Sequence, residues 1–300
     1  MPIVFEFKND MVNIVEARSK SNVFDIKKSC SISIPEEWID SQGIKEMDDL
    51  YLLLSSTLDM ERFKTKEAVI CINNPSVIYR EIIVPNIETK KMALIVRSEM
   101  MDVLNLTPDY IMDFVVIDEF EEEDGTKKAR LLAVASLSSA IETYIELMKK
   151  LKLKLTCIDT STNSIIKLVD SSPELKSVEQ LILVDSGKKH LRLYLFEHGK
   201  YILTRNAKIS PMNEVTDEEA LNIIEDNINK MIQFSFTREN KSDEKKIVLV
   251  GRDTILEELK SKVLNDLLVP CDILVKPSFV NTVDDFETCY INAISALIRK

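Results

Sequence analysis

The chain has 300 residues, 45% hydrophobic and 30% charged, which is enough apolar side chain for one large or two modest packed domains. The 39 Lys and Arg residues against 50 Asp and Glu give a formal charge of −11 with no basic block, which argues against nucleic acid or an anionic lipid surface as partner. Only 5 glycines occur, where average usage is roughly 7%, so sites built on several glycine-rich turns have little to draw on.

Three strands open the chain, at 3–7, 12–17 and 22–34, parted by the turns Lys8-Asn9-Asp10 and Ser19-Lys20-Ser21. Met47, Leu50, Leu54 and Leu58 recur at helical spacing and predict a helix over 46–63. Residues 67–73 read as a buried strand. A strand from Val77 to Val84 ends at Pro85, and a helix follows over 88–103 with Met92, Ile95, Val96 and Val103 toward one side. A strand at 112–119 leads into the acidic run Glu119 to Asp124, which with Gly125 reads as a solvated hairpin tip. The return strand is Arg130 to Ser136, and Ile141, Tyr144, Ile145, Met148 and Leu151 give the helix at 138–151 one apolar face. Strand-helix-strand-strand-helix-strand over 77–157 is the pattern of a small α+β sandwich.

At Gln180 the opening pattern starts again. Leu181 to Asp185 is a buried strand, Ser186-Gly187-Lys188-Lys189 a turn, and Leu191 to Phe196 an alternating strand; a second turn at Glu197 to Lys200 leads to a third strand. Asp185 falls on Glu6, Gly187 on Lys8, Leu191 on Val12 and Leu193 on Ile14, so the halves begin alike. A long helix at 216–236 buries Leu221, Ile224, Ile228 and Met231, with Asp217, Glu218 and Glu219 in the first turn, where the helix dipole favours negative charge. A polar linker, Arg238 to Lys246, precedes a strand at Ile247 to Val250, Gly251, a helix at 254–267, a strand at 272–275 and a helix at 285–298.

Several chemistries are excluded. No positive segment followed by an apolar stretch opens the chain, and no apolar run reaches the roughly 18–20 residues that cross a bilayer. Cys30, Cys71, Cys157, Cys271 and Cys289 are odd in number and form no C-x-x-C pair, so reduced, buried thiols are expected and a zinc site is not. His190 and His198 sit at a hairpin without clustered ligands and read as surface residues; Trp38 and Met100-Met101 read as packing. The nucleophile-elbow, P-loop and dinucleotide glycine motifs are absent.

Two hairpins, each with an acid ending its first strand, are how actin-like folds hold a nucleotide. The turns aim backbone N–H groups at phosphates, and the acids organise metal-bound water. Here ATP with magnesium would fall to Glu6, Lys8, Asn9, Asp185, Ser186, Gly187, Lys188 and Gly251. The second hairpin, Asp185-Ser186-Gly187, is usable. The first, Glu6-Phe7-Lys8-Asn9, has bulk where glycine is wanted; Lys8 offers charge to a phosphate but hinders close backbone approach. The late turn reads Gly251-Arg252 where two small residues are wanted. The other reading makes Glu6 and Asp185 relic strand-end acids, solvated or bonded locally.

Val77-Ile78-Tyr79-Arg80-Glu81-Ile82-Ile83-Val84-Pro85 followed by Ile95-Val96-Arg97-Ser98-Glu99 resembles the signature of the PilM family of type IV pilus assembly proteins, relatives of the division protein FtsA. Asp113-Phe114-Val115-Val116, the stretch from Ala133-Val134-Ala135 through Tyr144-Ile145-Glu146-Leu147 to Leu153–Asp159, and Leu183-Val184-Asp185-Ser186-Gly187 are similar to further family segments. There are departures. The family's G-I-D-I-G is Val4-Phe5-Glu6-Phe7-Lys8, its I-P-F-P is Leu104-Asn105-Leu106-Thr107, and Ile209-Ser210-Pro211-Met212-Asn213 runs almost directly into the helix carrying Asn227 to Phe234, where members carry a further lobe.

The resemblance implies an α/β, actin-like ATPase (ribonuclease H-like) fold. Residues 1–76 and 158–179 would form the first lobe, 77–157 an inserted α+β subdomain, and 180–300 a second lobe lacking most of its outer part. It implies a cytoplasmic adaptor, and the departures together with the bulky turns make a non-catalytic one with a degenerate nucleotide site the expectation. Such an adaptor binds the cytoplasmic N-terminal tail of an inner-membrane partner resembling PilN in a groove beside the subdomain, and couples it to pilus motor or platform proteins. Pro85, Arg97 and Glu99 match the signature and would touch that peptide or brace the helix. The alternatives are an active actin-like ATPase and an FtsA-like filament protein. Against the latter, the chain ends at Ile298-Arg299-Lys300 without an amphipathic tail, so direct membrane attachment is not expected.

Overall fold

Continuous apolar runs become central strands, and alternating runs become their neighbours. In the computed structural model, which describes residues 2–20, 23–74, 76–209, 216–238, 244–251 and 253–299, this rule builds two similar sheets. The segment 210–215, the expected linker's residues 239–243 and Arg252 of the late turn lie outside the described residues, as does Ser21 of the second turn.

In chain order the elements are β1 (Ile3–Phe7), β2 (Met11–Lys20), β3 (Val23–Ser33), β4 (Ile39–Asp40), β5 (Gly43–Ile44), α1 (Met47–Met60), β6 (Glu67–Ile72), β7 (Ile78–Pro85), α2 (Thr89–Leu104), β8 (Tyr110–Glu121), β9 (Lys127–Leu137), α3 (Ser138–Lys150) and β10 (Lys154–Thr160). There follow α4 (Ser161–Ser171), α5 (Pro173–Lys176), β11 (Gln180–Ser186), β12 (His190–Glu197), β13 (Lys200–Lys208), α6 (Asp217–Phe236), β14 (Lys245–Gly251), α7 (Asp253–Lys262), β15 (Cys271–Ile273), β16 (Val280–Thr282) and α8 (Ile291–Ser295).

One sheet has the order β10-β6-β1-β2-β3-β16 and the other β13-β12-β11-β14-β15. Each is an antiparallel three-stranded meander whose first strand also pairs with a parallel strand, β6 for β1 and β14 for β11. The repeat expected from the sequence holds residue for residue: Glu6 faces Asn13 as Asp185 faces Arg192, and Phe7 faces Val12 as Ser186 faces Leu191.

Four apolar layers hold these sheets. One lies between them, around α4 and α8, and includes Val4, Val69, Ile165, Leu183 and Ile294. The outer face of the five-stranded sheet is covered by α6 and α7, with Ile224, Ile228 and Leu259 buried. A capping box, in which Thr216 and Glu219 bond each other's backbone N–H, starts α6. The outer face of the six-stranded sheet is covered by α1 and α3, where Phe7, Leu50, Tyr144 and Leu147 meet. The fourth layer packs α2 on a small sheet of order β7-β9-β8.

That small sheet differs from the sandwich expected over 77–157. All six elements form in the expected order, but β10 leaves to pair with β6, and α3 packs on the six-stranded sheet. An apolar stripe marks a helix for burial without saying against what. The hairpin tip is also shorter than expected: β8 continues through Glu121, and the turn closes with Glu122 N–H on Thr126 and Gly125 at φ +81°. At the C-terminal end, only Ile291–Ser295 is α-helical within the expected 285–298 helix. Glu287 is extended, and a 3-10 turn at Thr288–Tyr290 intervenes. None of the five cysteines is in a disulfide; Cys71 and Cys271 are buried, whereas Cys30, Cys157 and Cys289 are only half-buried.

Candidate functional site

The first candidate is the cleft where the two meanders meet. Glu6 is fully buried near the end of β1 and Asp185 is 4% exposed near the end of β11. From the turn after β1, Lys8 sends its Nζ to 3.5 Å from Glu6 and 3.8 Å from Asp185. Asn292 of α8 reaches in from the other side, and its Nδ2 donates to Glu6 Oε1 at 2.8 Å and to Asp185 Oδ2 at 2.7 Å. Glu6 also accepts from Asn13 at 2.8 Å and from Asn73 at 3.0 Å. Burial opposes the charge on Lys8, but the Asp185 and Glu6 carboxylates outweigh it and hold its pKa above the ordinary lysine value.

Of the eight residues the sequence nominates here, Glu6, Lys8 and Asp185 are thus brought together. Asn9 and Gly187 line the same cavity with Lys8 and Asp185, and its volume is only about 40 Å³. Small-molecule sites are typically ~300–1,000 Å³. At Gly187 an added Cβ would meet the His190 carbonyl oxygen at 2.9 Å, so this turn tolerates no side chain. Gly251, at φ +112°, packs against the Ser186 backbone, and its N–H donates to Thr288 Oγ1 at 3.0 Å. Lys188 is exposed and does not line the cavity. His190 does line it, half-buried, and burial lowers its pKa; His198 is exposed as expected.

The second candidate is a larger groove, about 560 Å³, between the small sheet and the six-stranded sheet. Ile111, Phe114 and Val115 of β8 and Leu132 and Val134 of β9 form one wall, and Ile158 of β10 and Ile298 the other. Its floor is polar. Thr160 caps α4 by accepting from Asn163 N–H, and helical spacing then sets Asn163 and Lys167 above Asp159 on one face. Lys167 Nζ lies 2.6 Å from Asp159 Oδ2 and donates to the carbonyls of Ala296 at 3.2 Å and Ile298 at 2.9 Å, so all three ammonium protons have acceptors. Asn163 donates to Asp159 Oδ1 at 2.8 Å, while its own Oδ1 is buried without a partner. Burial also raises the phenol pKa of Tyr79, which lines the groove.

Sequence reasoning named none of the groove's polar floor as a site. The available signal was Lys167, one charge inside the apolar run Ile165-Ile166-Lys167-Leu168-Val169. The nominated Pro85, Arg97 and Glu99 are exposed, Pro85 at the end of β7 and the other two on α2, and none lines the groove.

Solved structures share this fold. The PilM-PilN type IV pilus biogenesis complex is similar over 99% of this chain and 97% of its own, at a TM-score of 0.80 and 17% identity. The cytoplasmic domain of EpsL, an inner-membrane component of the type II secretion system of Vibrio cholerae, matches over 99% and 95% at 0.53 and 8% identity. A Bacteroides thetaiotaomicron protein with an actin-like ATPase fold and unknown function matches over 91% and 90% at 0.50 and 11% identity. The chain therefore has the actin-like ATPase fold. No curated protein sequence matches it. The sequence profile of the type IV pilus assembly protein PilM matches residues 6–218, and the chain belongs to that family.

Proposed function

We propose that this protein is a non-catalytic adaptor of a type IV pilus or related secretion platform, and that its groove holds an extended N-terminal segment of an inner-membrane partner resembling PilN. The observation that carries this is the 560 Å³ groove, apolar on its walls and polar on its floor, where Asp159, Asn163 and Lys167 gather. An extended peptide suits it, because side chains can seat against Ile111, Val115 and Val134. The small sheet's outer strand β8 borders the groove and offers backbone groups for strand addition. The similarity to the PilM-PilN complex supports the choice of partner.

In this reading residues 1–76 and 158–179 form one lobe, 180–300 a reduced second lobe, and the small sheet belongs to the segment inserted at 77–157. Among the described residues no helix is long and apolar enough to cross a membrane, so attachment to the inner face of the membrane runs through the partner, and pilus motor or platform proteins dock elsewhere on the adaptor. The cleft is read as a degenerate nucleotide site: its oxygens are engaged by Lys8 and three asparagines, and ATP with magnesium does not fit the remaining space.

Calorimetry with a synthetic peptide of the partner's N-terminus tests the adaptor role. Ile111 is 48% exposed, so Ile111→Arg should fold and should weaken binding by about tenfold or more, ~1.4 kcal/mol. Arg97→Ala and Glu99→Ala should leave affinity unchanged if those residues serve only α2. Wild-type affinity weaker than millimolar, or an unaffected Ile111→Arg, would refute the groove assignment.

A further inference from the structure

The actin-like fold implies a metal-bound nucleotide between its two acids, and this cleft does not fit one. Glu6 and Asp185 come from different sheets and are almost wholly buried, so two acids share one buried space. Such a pair needs a cation or a shared proton. Three of the four carboxylate oxygens already accept a hydrogen bond from an asparagine. Asn13 holds Glu6 Oε2, Asn73 and Asn292 hold Oε1, and Asn292 holds Asp185 Oδ2. The remaining position, facing Glu6 Oε1 and Asp185 Oδ1, is filled by the ammonium of Lys8.

We infer that Lys8 is the built-in cation of this cleft, locking the two sheets together without metal or nucleotide. The lock rests on the reading of the cleft as degenerate and goes beyond it, because it gives the displaced site a mechanical task. The turn carrying Lys8 is regular, its N–H donating to Met11 O at 2.9 Å, so the side chain enters the cleft without backbone distortion. The position of the other meander that matches Lys8 is Gly187, which has no side chain to send in, and Arg192, which also lines the cavity, is bonded to Asn206 and Ser161. Lys8 is 13% exposed and stays charged between its partners. Asn292 doubles the link by bridging the same two carboxylates from α8. The adaptor is therefore held closed permanently, and its grip on a partner is not gated by nucleotide.

The test uses the full chain. Wild type should melt at the same temperature in EDTA, in millimolar magnesium and in magnesium with ATP. Lys8→Met keeps the bulk and removes the charge; its melting temperature at neutral pH should fall by roughly 5 °C or more. Adding Asp185→Asn to Lys8→Met restores the net charge and should recover most of that loss. Lys8→Gly should bind manganese, read by paramagnetic resonance, at least about tenfold more tightly than wild type, ~1.4 kcal/mol. Stabilisation of wild type by magnesium-ATP, a Lys8→Met variant as stable as wild type, or a double variant that recovers nothing would each overturn the lock. Peptide affinity measured alongside reports on the adaptor reading separately.

Discussion

Lys167 shows how one side chain can organise a site from the inside. Its ammonium is 8% exposed and surrounded by acceptors from three places in the chain: Asp159 before α4, and the carbonyls of Ala296 and Ile298 after α8. Breaking a buried pair by removing one partner strands the other charge, which is why the penalty exceeds the pair's net worth. Asp159→Ala should therefore destabilise the fold by ~3–5 kcal/mol. The loss should appear as a lower urea midpoint with an unchanged slope. Asp159→Asn keeps an acceptor and should cost less. If the alanine variant loses under ~1 kcal/mol, a typical exposed-pair value, water reaches the ammonium and the groove floor is wet.

Among the elements, α3 tests where the small sheet's packing ends and that of the six-stranded sheet begins. Leu147 is fully buried and packs with Phe7 and Leu50, not with α2. Leu147→Ala should cost ~2–5 kcal/mol and should lower the single unfolding transition of the six-stranded sheet. Hydrogen exchange in β1 and β6 should quicken with it, while a loss confined to β7 and β8 would show that α3 belongs to the small sheet instead. The sequence made α3 itself plain, because Ile141, Tyr144 and Met148 recur on one face. Its destination was hidden, since periodicity reports a buried side and not the neighbour. The meanders were legible for a stronger reason: Leu181 to Val184 is continuously apolar and Leu191 to Phe196 alternates, so register follows from pattern. β16 has three residues and no pattern to read. The cleft acids were visible as strand ends, but the role of Lys8 depends on Asn292, nearly 300 residues away in sequence. A groove beside the subdomain was expected only from the resemblance; its lining could not be read from pattern because its walls come from elements scattered from β6 to the last residues.

Across the whole molecule, the C-terminal segment connects what the two sheets would otherwise do separately. After β15 in one sheet the chain crosses to β16, which pairs in parallel with β3 of the other. It then lays α8 between them, where every residue from Ile291 to Ser295 is buried. Asn292 touches both cleft acids, the carbonyls of Ala296 and Ile298 anchor Lys167, and Ile298 and Arg299 wall the groove. Ending the chain after Ser295 keeps Asn292 but removes two acceptors from a buried charge. Hydrogen bonds to charged groups contribute ~1.5–3 kcal/mol each, so stability should fall by at least ~3 kcal/mol. Partner-peptide affinity should fall too, because one wall of the groove is gone. Arg299→Ala separates the two effects: it leaves both carbonyls in place and should weaken the peptide without moving the unfolding midpoint. Equal stability of the shortened chain and wild type would mean that Lys167 finds other acceptors, and that the last residues act on the partner alone.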